Sequence, residues 1–369
     1  MSSEQTNNPR EFERAALPVA VVSQSAVGAR GNFYVGGVYN GATDTMNGQA
    51  YVEVIVPREV RRPYPLVLIH GAGQTSASWL QTPDGRKGWA DYFVEQGYIV
   101  YLMDQPMRGR SGQNSAAGPT RALKVSQVEK QLTASRRSMA WPQAALHSQW
   151  PGNGSDSGCK GNSVFDAFYA SQVESVASVE LSSKQCQAAG AALLDKIGPA
   201  ILLTHSQSGP YGWLIADARP HLVKAILAIE PSGPLFASVQ AANVSGFGWG
   251  TTDTEISYAP PVALASELRF ATGLSSGRVD GVFRLLQQEP ARQLVNLIDI
   301  PVLIVTAEAS YHAVLDHHTV GYMRQAGVGV DHLCLADVNI RGNGHMMMVE
   351  MNNLEIAGLI DQWVMESEI

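Results

Sequence analysis

The 369-residue chain predicts an α/β fold, a mostly parallel central sheet flanked by helices, and three observations predict it. Six short runs are almost wholly apolar and stop at Gly, Pro or a polar residue: "PLVLIHGAG" (65–73), "YIVYLMDQP" (98–106), "AILLTHSQSG" (200–209), "KAILAIEPSG" (224–233), "PVLIVTAEAS" (301–310) and "HLCLADV" (332–338). Strands covered on both faces read this way, and they belong to parallel sheets. Helical patterns stand between them, and a 45% hydrophobic content over this length fills one large core.

Taken in chain order, residues 1–30 read as an arm leading into a strand around "VAVVSQSAVG", and "NFYVGGVY" and "QAYVEVIVP" then form an antiparallel pair about a turn. Helices are expected at "GWADYFVEQG", "GPYGWLIADARPHLV", "YHAVLDHHTVGYMRQAG" and "MNNLEIAGLIDQWVMES". Two connections, about 113–195 and 234–298, are too long for single crossovers and read as cap or lid insertions. The remainder, 31–369, is one catalytic domain carrying both.

Composition excludes several classes. A net charge of -7 offers no broad positive surface, so nucleic acid is not an expected partner. No segment holds eighteen uninterrupted apolar residues, so membrane insertion is not expected. The opening "MSSEQTNNPREFERAA" lacks the apolar run of a signal peptide; the protein is expected to be soluble, secreted or periplasmic if a leader was removed and otherwise cytoplasmic. Cys159, Cys186 and Cys334 form no C-x-x-C pair; free thiols are preferred to a Cys159–Cys186 bridge. His312, His317 and His318 lack a converging ligand set, and "HGAGQ" lacks the G-K-[ST] of a phosphate loop, so neither a metal nor any other cofactor is expected.

In "THSQSG" a Ser closes an apolar strand and a helical pattern follows, the context of a nucleophile elbow. Strand length favours Ser206 over Ser208, and His205 should pack beside the site. The base that takes the Ser206 proton is His345, in the Gly-rich "RGNGH" after the last strand, where a loop can hang an imidazole over the sheet edge. Glu230 and Glu308 each end a strand, and either could orient that imidazole. Asp104 more plausibly fixes its own loop through Arg108 or Arg110. The oxyanion donors are the backbone N–H of Gln207 and that of Ala72, with Gly71 or Gly73 next. Trp141, Trp213, Phe247 and Trp249 are candidates for the substrate pocket.

"NFYVGG", "LIHGAG", "DQPMRGRSGQN", "THSQSGPYGW", "IEPSG" and above all "GNGHMMMVEMNNLEIAGLIDQWV" resemble a small group of bacterial secreted carboxylesterases in the α/β-hydrolase superfamily, over roughly 30–365. The resemblance implies an acid after the sixth strand, which selects Glu230 and keeps Glu308 as the alternative. It also implies a dimer and ester hydrolysis without a cofactor. That group has adjacent cysteines after His-Gly where this chain has Ala72-Gly73, so substrate preference does not carry over. The reading is a serine carboxylic-ester hydrolase acting on a small to medium, apolar or aromatic ester. The alternatives are a lactonase or acyltransferase, a cofactor-free lyase, or a non-catalytic ligand-binding module on the same fold.

Overall fold

The computed structural model describes residues 20–114, 117–233, 236–238, 244–245, 248–274 and 282–369. The central sheet holds β1 (Val27–Asn40), β2 (Thr45–Pro57), β3 (Leu66–Ile69), β4 (Val100–Asp104), β5 (Ala200–His205), β6 (Val223–Ile229), β7 (Val302–Thr306) and β8 (Val330–Cys334). Their spatial order is β1-β2-β4-β3-β5-β6-β7-β8. β2 pairs antiparallel with both β1 and β4, and every neighbouring pair from β4 onward is parallel. The chain runs outward from β3 to β4 and then crosses back to β5. The crevice beyond the carboxyl ends of β3 and β5 is therefore a topological switch point, where open α/β sheets bind ligands.

Six helices matter here: α1 (Trp89–Glu95), α2 (Ser163–Ala170), α3 (Val179–Ile197), α4 (Ser208–Ala218), α5 (Asp316–Gln325) and α6 (Asn353–Glu366). Side chains alternate across a strand, and β3 shows the consequence. Leu66 and Leu68 join Trp89, Phe93, Ile356 and Ile360 on the α1/α6 face. Val67 and Ile69 join Leu193, Leu214, Ile215 and Val320 on the face of α3, α4 and α5. Both faces are covered, which is why these strands read as continuous apolar runs.

Three expectations are corrected. Residues 20–26 form no strand; ladder pairing begins at Val27, and the segment before it is held by isolated bonds, such as Ala26 O accepting the Arg58 N–H at 2.8 Å and Ser25 O accepting Arg58 Nε at 2.7 Å. The helix expected over 311–327 divides into a 3-10 turn, Tyr311–Val314, and α5, because the Ser310 hydroxyl caps the turn by accepting the His312 N–H at 3.1 Å. The first insertion ends near residue 178 rather than 195. α3 is the crossover helix into β5, and its Ala189, Leu193 and Leu194 pack with Val35, Ala50 and Val52 of β1 and β2. Its Ala/Gly/Ser-rich sequence gives it a weak apolar stripe. In the second insertion the described strands Phe236–Ser238, Val244–Ser245, Phe270–Leu274 and Val282–Gln287 make a small antiparallel sheet. All three cysteines are free thiols.

Candidate active site

Ser206 follows β5 directly with φ 54°, a left-handed conformation that costs an L-residue about 1–2 kcal/mol. Three backbone bonds hold it there: its N–H donates to Ile229 O at 3.0 Å, and its carbonyl accepts from Gly209 and Ser232 N–H, both at 2.9 Å. At Gly209 a Cβ would stand 2.4 Å from Pro231 Cβ, so only glycine lets α4 leave the elbow this close to the β6 loop. Ser208 is no rival, because its buried hydroxyl donates to Ile69 O at 2.7 Å and accepts the His205 N–H at 2.8 Å.

His345 lies in the loop between β8 and α6, and buried Glu350 shapes that loop. Its carboxylate accepts from Gly344 N–H at 3.0 Å, Asn343 Nδ2 at 2.8 Å and His147 Nε2 at 2.7 Å, tying the first insertion to the loop. Glu308 braces the same loop from outside, accepting from Arg341 Nη1 at 2.7 Å and Gly342 N–H at 2.9 Å. It does not reach the imidazole. Glu230 does: its Oε2 lies 2.5 Å from His345 Nδ1. The same Oε2 accepts from Ser310 Oγ at 2.6 Å, and Oε1 accepts from Ala307 N–H at 2.8 Å. Like Ser206, Glu230 sits at positive φ, 43°.

The imidazole is held on three sides. His312 stacks on it with ring centroids 4.9 Å apart and planes 7° from parallel, Tyr311 packs at 4.8 Å, and His205 at 4.6 Å. The Tyr311 hydroxyl lies 3.2 Å from His345 Nε2 and lines the same cavity as Ser206. His312 Nδ1 lies 2.7 Å from Asp316 Oδ1, which makes a second buried His–carboxylate pair beside the first.

Burial pushes the Glu230 carboxyl up to about 8, with His312 pulling it down and Asp316 pushing it up. Burial also takes His345 well below its ordinary value, helped by His205 and His312. Three donors converge on Glu230, and only an ionised carboxylate accepts from all three. With the carboxylate ionised, the proton between the pair sits on Nδ1, which leaves a lone pair on Nε2. Burial lowers His205 to about 3 and His70 to about 4, so both rings stay neutral.

Glu230, His312 and His345 bring potential metal-ligating atoms within 4.8 Å of one another. The two stacked rings direct their lone pairs into parallel planes, and each Nδ1 already faces a carboxylate, so the trio is not arranged as a chelate.

Ala72, Ser206, Tyr311 and His345 line one side of a cavity of about 80 Å³. Leu123, Gln127, Val128, Gln131 and Leu132 of the first insertion close the other side. A larger hollow, about 660 Å³, opens at the amino ends of β7 and β8 around Arg324, Asp331 and Trp363, at the opposite end of the sheet from Ser206. Chemistry rather than size therefore places the site. At Gly71 a Cβ would lie 2.8 Å from His205 Nδ1, so glycine is required for the turn to approach the elbow. The N–H groups of Ala72 and Gln207 donate no hydrogen bond among the described residues.

The pocket candidates divide. Trp141 donates from Nε1 to Ala309 O at 3.0 Å and packs edge-on against Tyr311, buttressing the site from behind. Trp213 is a correction: its indole is wholly buried in the core on the α3/α4/α5 face, because helical period turns that side of α4 inward. Trp249 is half-buried, packs against the same core and does not line the cavity beside Ser206. Phe247 lies outside the described residues. Asp104 fixes its loop through Arg110, whose Nε donates to Oδ2 at 2.9 Å, and through the Ser76 N–H at 2.8 Å. Sequence reasoning missed Tyr311 and the site-side burial of His312. The available signal was "SYH" just past the carboxyl end of β7, beyond a Glu308 that proves to face the His loop.

No family model matches the chain. It is 46% identical over 332 residues to the probable secreted lipase phiG of Fungal sp. (strain ATCC 74256), covering 90% of this chain and 88% of that protein. Among solved structures it resembles a bacterial esterase with a TM-score of 0.59 at 22% identity, covering 95% of this chain and 99% of the other. The naproxen esterase of Bacillus subtilis aligns at 14% identity with a TM-score of 0.42, covering 94% of each chain. Among the described residues no helix is long and apolar enough to cross a membrane.

Proposed function

This chain belongs to the α/β-hydrolase family of the fungal lipase, an esterase and lipase family, and from that premise we propose that it hydrolyses carboxylic esters through a serine acyl-enzyme. The observation that carries the proposal is the 2.5 Å contact of His345 Nδ1 with Glu230, on an imidazole that shares one cavity with Ser206.

Ser206 Oγ attacks the ester carbonyl while His345 Nε2 takes its proton; the same proton then passes to the departing alkoxide, and the alcohol leaves. Water follows the reverse course: His345 deprotonates it, it attacks the acyl carbonyl, and Ser206 leaves as the hydroxyl with the proton returned. Glu230 keeps Nδ1 protonated and stabilises the imidazolium of each attack. The Ala72 and Gln207 N–H groups, which donate to no other group among the described residues, receive the oxyanion. For Nε2 to take the Ser206 proton, the Tyr311 hydroxyl must give up its hydrogen bond to that nitrogen.

The cavity of about 80 Å³ is well below the several hundred Å³ of a drug-sized pocket, which supports a short acyl group with apolar contact from Leu123, Val128 and Leu132. The description of the fungal relative as secreted supports an extracellular working place, and the resemblance to dimeric carboxylesterases supports a homodimer. The test is a panel of p-nitrophenyl esters of graded acyl length, with simple lactones, given to the parent and to Ser206→Ala. Turnover of short esters by the parent alone is expected. Lactones turned over while every ester is refused would move the activity to lactone opening, and activity persisting in Ser206→Ala would mean another nucleophile.

A further inference from the structure

Arg108 lies in the loop after β4 and is 2% exposed. Its Nη1 donates to Gly71 O at 3.1 Å and its Nη2 to Gln207 Oε1 at 2.7 Å. Among the described residues it makes no ion pair; the nearby Asp104 is taken by Arg110 and Ser76. Burying a cation without a counter-charge is costly, so this guanidinium stands where only neutral oxygens satisfy it.

One of the two oxygens it holds belongs to the Gly71–Ala72 peptide, whose N–H is that of Ala72, and the other to the side chain of Gln207. A trans peptide sets its C=O and N–H in opposite directions. Gly71 O is gripped from behind by Arg108 and by His70 Nδ1, at 3.0 Å. The Ala72 N–H of the same peptide is thereby turned away from Arg108, toward the cavity that Ala72 and Ser206 both line. His70 keeps that role because its Nε2 accepts the Gln105 N–H at 3.1 Å, which leaves the ring proton on Nδ1. On the other side the Gln207 side chain hangs from the same guanidinium, which fixes the residue at the start of α4 and with it the second N–H.

We propose that Arg108 is the positioning residue of the oxyanion site: one buried fork sets the separation of the Ala72 and Gln207 donors and places an unneutralised positive charge behind them. This inference rests on the acyl-transfer reading above. Its function is electrostatic as well as geometric, since charge develops on the carbonyl oxygen in a water-poor site where it is weakly screened.

The experiment compares the parent, Arg108→Lys, Arg108→Met and Gln207→Met on p-nitrophenyl acetate. It reads kcat and KM separately, the inhibition constant of a small alkyl boronic acid that forms an anionic tetrahedral adduct on Ser206, and the thermal midpoint. Deleting an oxyanion donor costs on the order of 10²–10³ in rate. Arg108→Met should approach the lower end of that range in kcat with KM changed less than about threefold, and boronate affinity should fall by a similar factor. Arg108→Lys, which restores the charge without the fork, should recover part of the loss. Gln207→Met removes one anchor while keeping the guanidinium and its bond to Gly71 O, and should lose roughly threefold to tenfold in kcat, so the idea stays testable if Arg108→Met does not fold. Unchanged kcat and boronate affinity in a folded Arg108→Met or in Gln207→Met would overturn the proposal, as would a loss confined to KM or to thermal stability. If the parent turns over no ester, the catalytic reading fails first; if the parent is active, Ser206→Ala is dead and these variants are normal, only the role of Arg108 is lost.

Discussion

Glu230→Gln should silence the enzyme while barely disturbing its shape. The native carboxylate accepts three hydrogen bonds: Ala307 N–H on Oε1, and Ser310 Oγ and His345 Nδ1 on Oε2. A glutamine offers one oxygen and one NH2. With the NH2 toward Ala307, two donors meet head on at 2.8 Å and leave a buried donor unsatisfied, costing about 1–3 kcal/mol. With the NH2 toward His345, the Ser310 hydroxyl can rotate to accept, and the imidazole must present a lone pair at Nδ1. The second arrangement is cheaper, and it moves the imidazole proton to Nε2, the atom required to take the Ser206 proton. The equivalent Asp→Asn change in a well-studied serine protease costs about 10⁴ in kcat, and a loss of that order, about 5.4 kcal/mol, is expected here. Stopped-flow and steady-state turnover of p-nitrophenyl acetate would measure it, with a thermal melt to show that the fold survives. Glu308→Gln is the control and should lose far less, since its carboxylate braces Arg341 and Gly342. A Glu230→Gln enzyme within tenfold of the parent would refute the assignment of the acid.

Four further outcomes are expected. Ser206→Gly and Ser206→Ala should both be inactive, but the glycine variant should be the more stable by about 1 kcal/mol in denaturant titration, because it relieves the φ of 54° that alanine retains. His70 titrates at about 4 in the fold and near 6.5 in the unfolded chain, so on acidification the unfolded chain takes up the proton first. Its contribution is present above 6.5 and is lost as the pH falls toward 4, on the order of 3 kcal/mol over that window; parent and His70→Gln should therefore converge in stability at acid pH. The rate should fall on the acid side as the Glu230–His345 pair takes up one proton and Nε2 loses its lone pair, which a kcat/KM profile would show. Leu132→Ala should raise kcat/KM for hexanoate relative to acetate by widening the cavity of about 80 Å³; an unchanged ratio would place the acyl group elsewhere.

The sheet was legible because its strands are buried on both faces, so apolar runs at 65–73, 200–209 and 301–310 announce their position without tertiary information. The same logic singles out Ser206 and His345 as candidates: an elbow is a local strand-to-helix event, and "GNGH" is a local loop between the last strand and the last helix. Local pattern left the acid open between Glu230 and Glu308, since both end strands at the same edge; only the resemblance chose. The structure separates them by what each touches, His345 for one and Arg341 with Gly342 for the other. α3 escaped notice because small residues suffice where a helix lies close against β1 and β2.

The sequence by itself determined the layered fold and singled out Ser206 and His345 as candidates, because burial period, turn glycines and strand ends are written locally. Tertiary structure alone decided that Tyr311 and His312 close around the imidazole, that Trp213 belongs to the core, and that Arg108 grips both Gly71 and Gln207. Those are contacts between residues far apart in the chain. Their geometry depends on how the strands stack side by side, which no local pattern encodes.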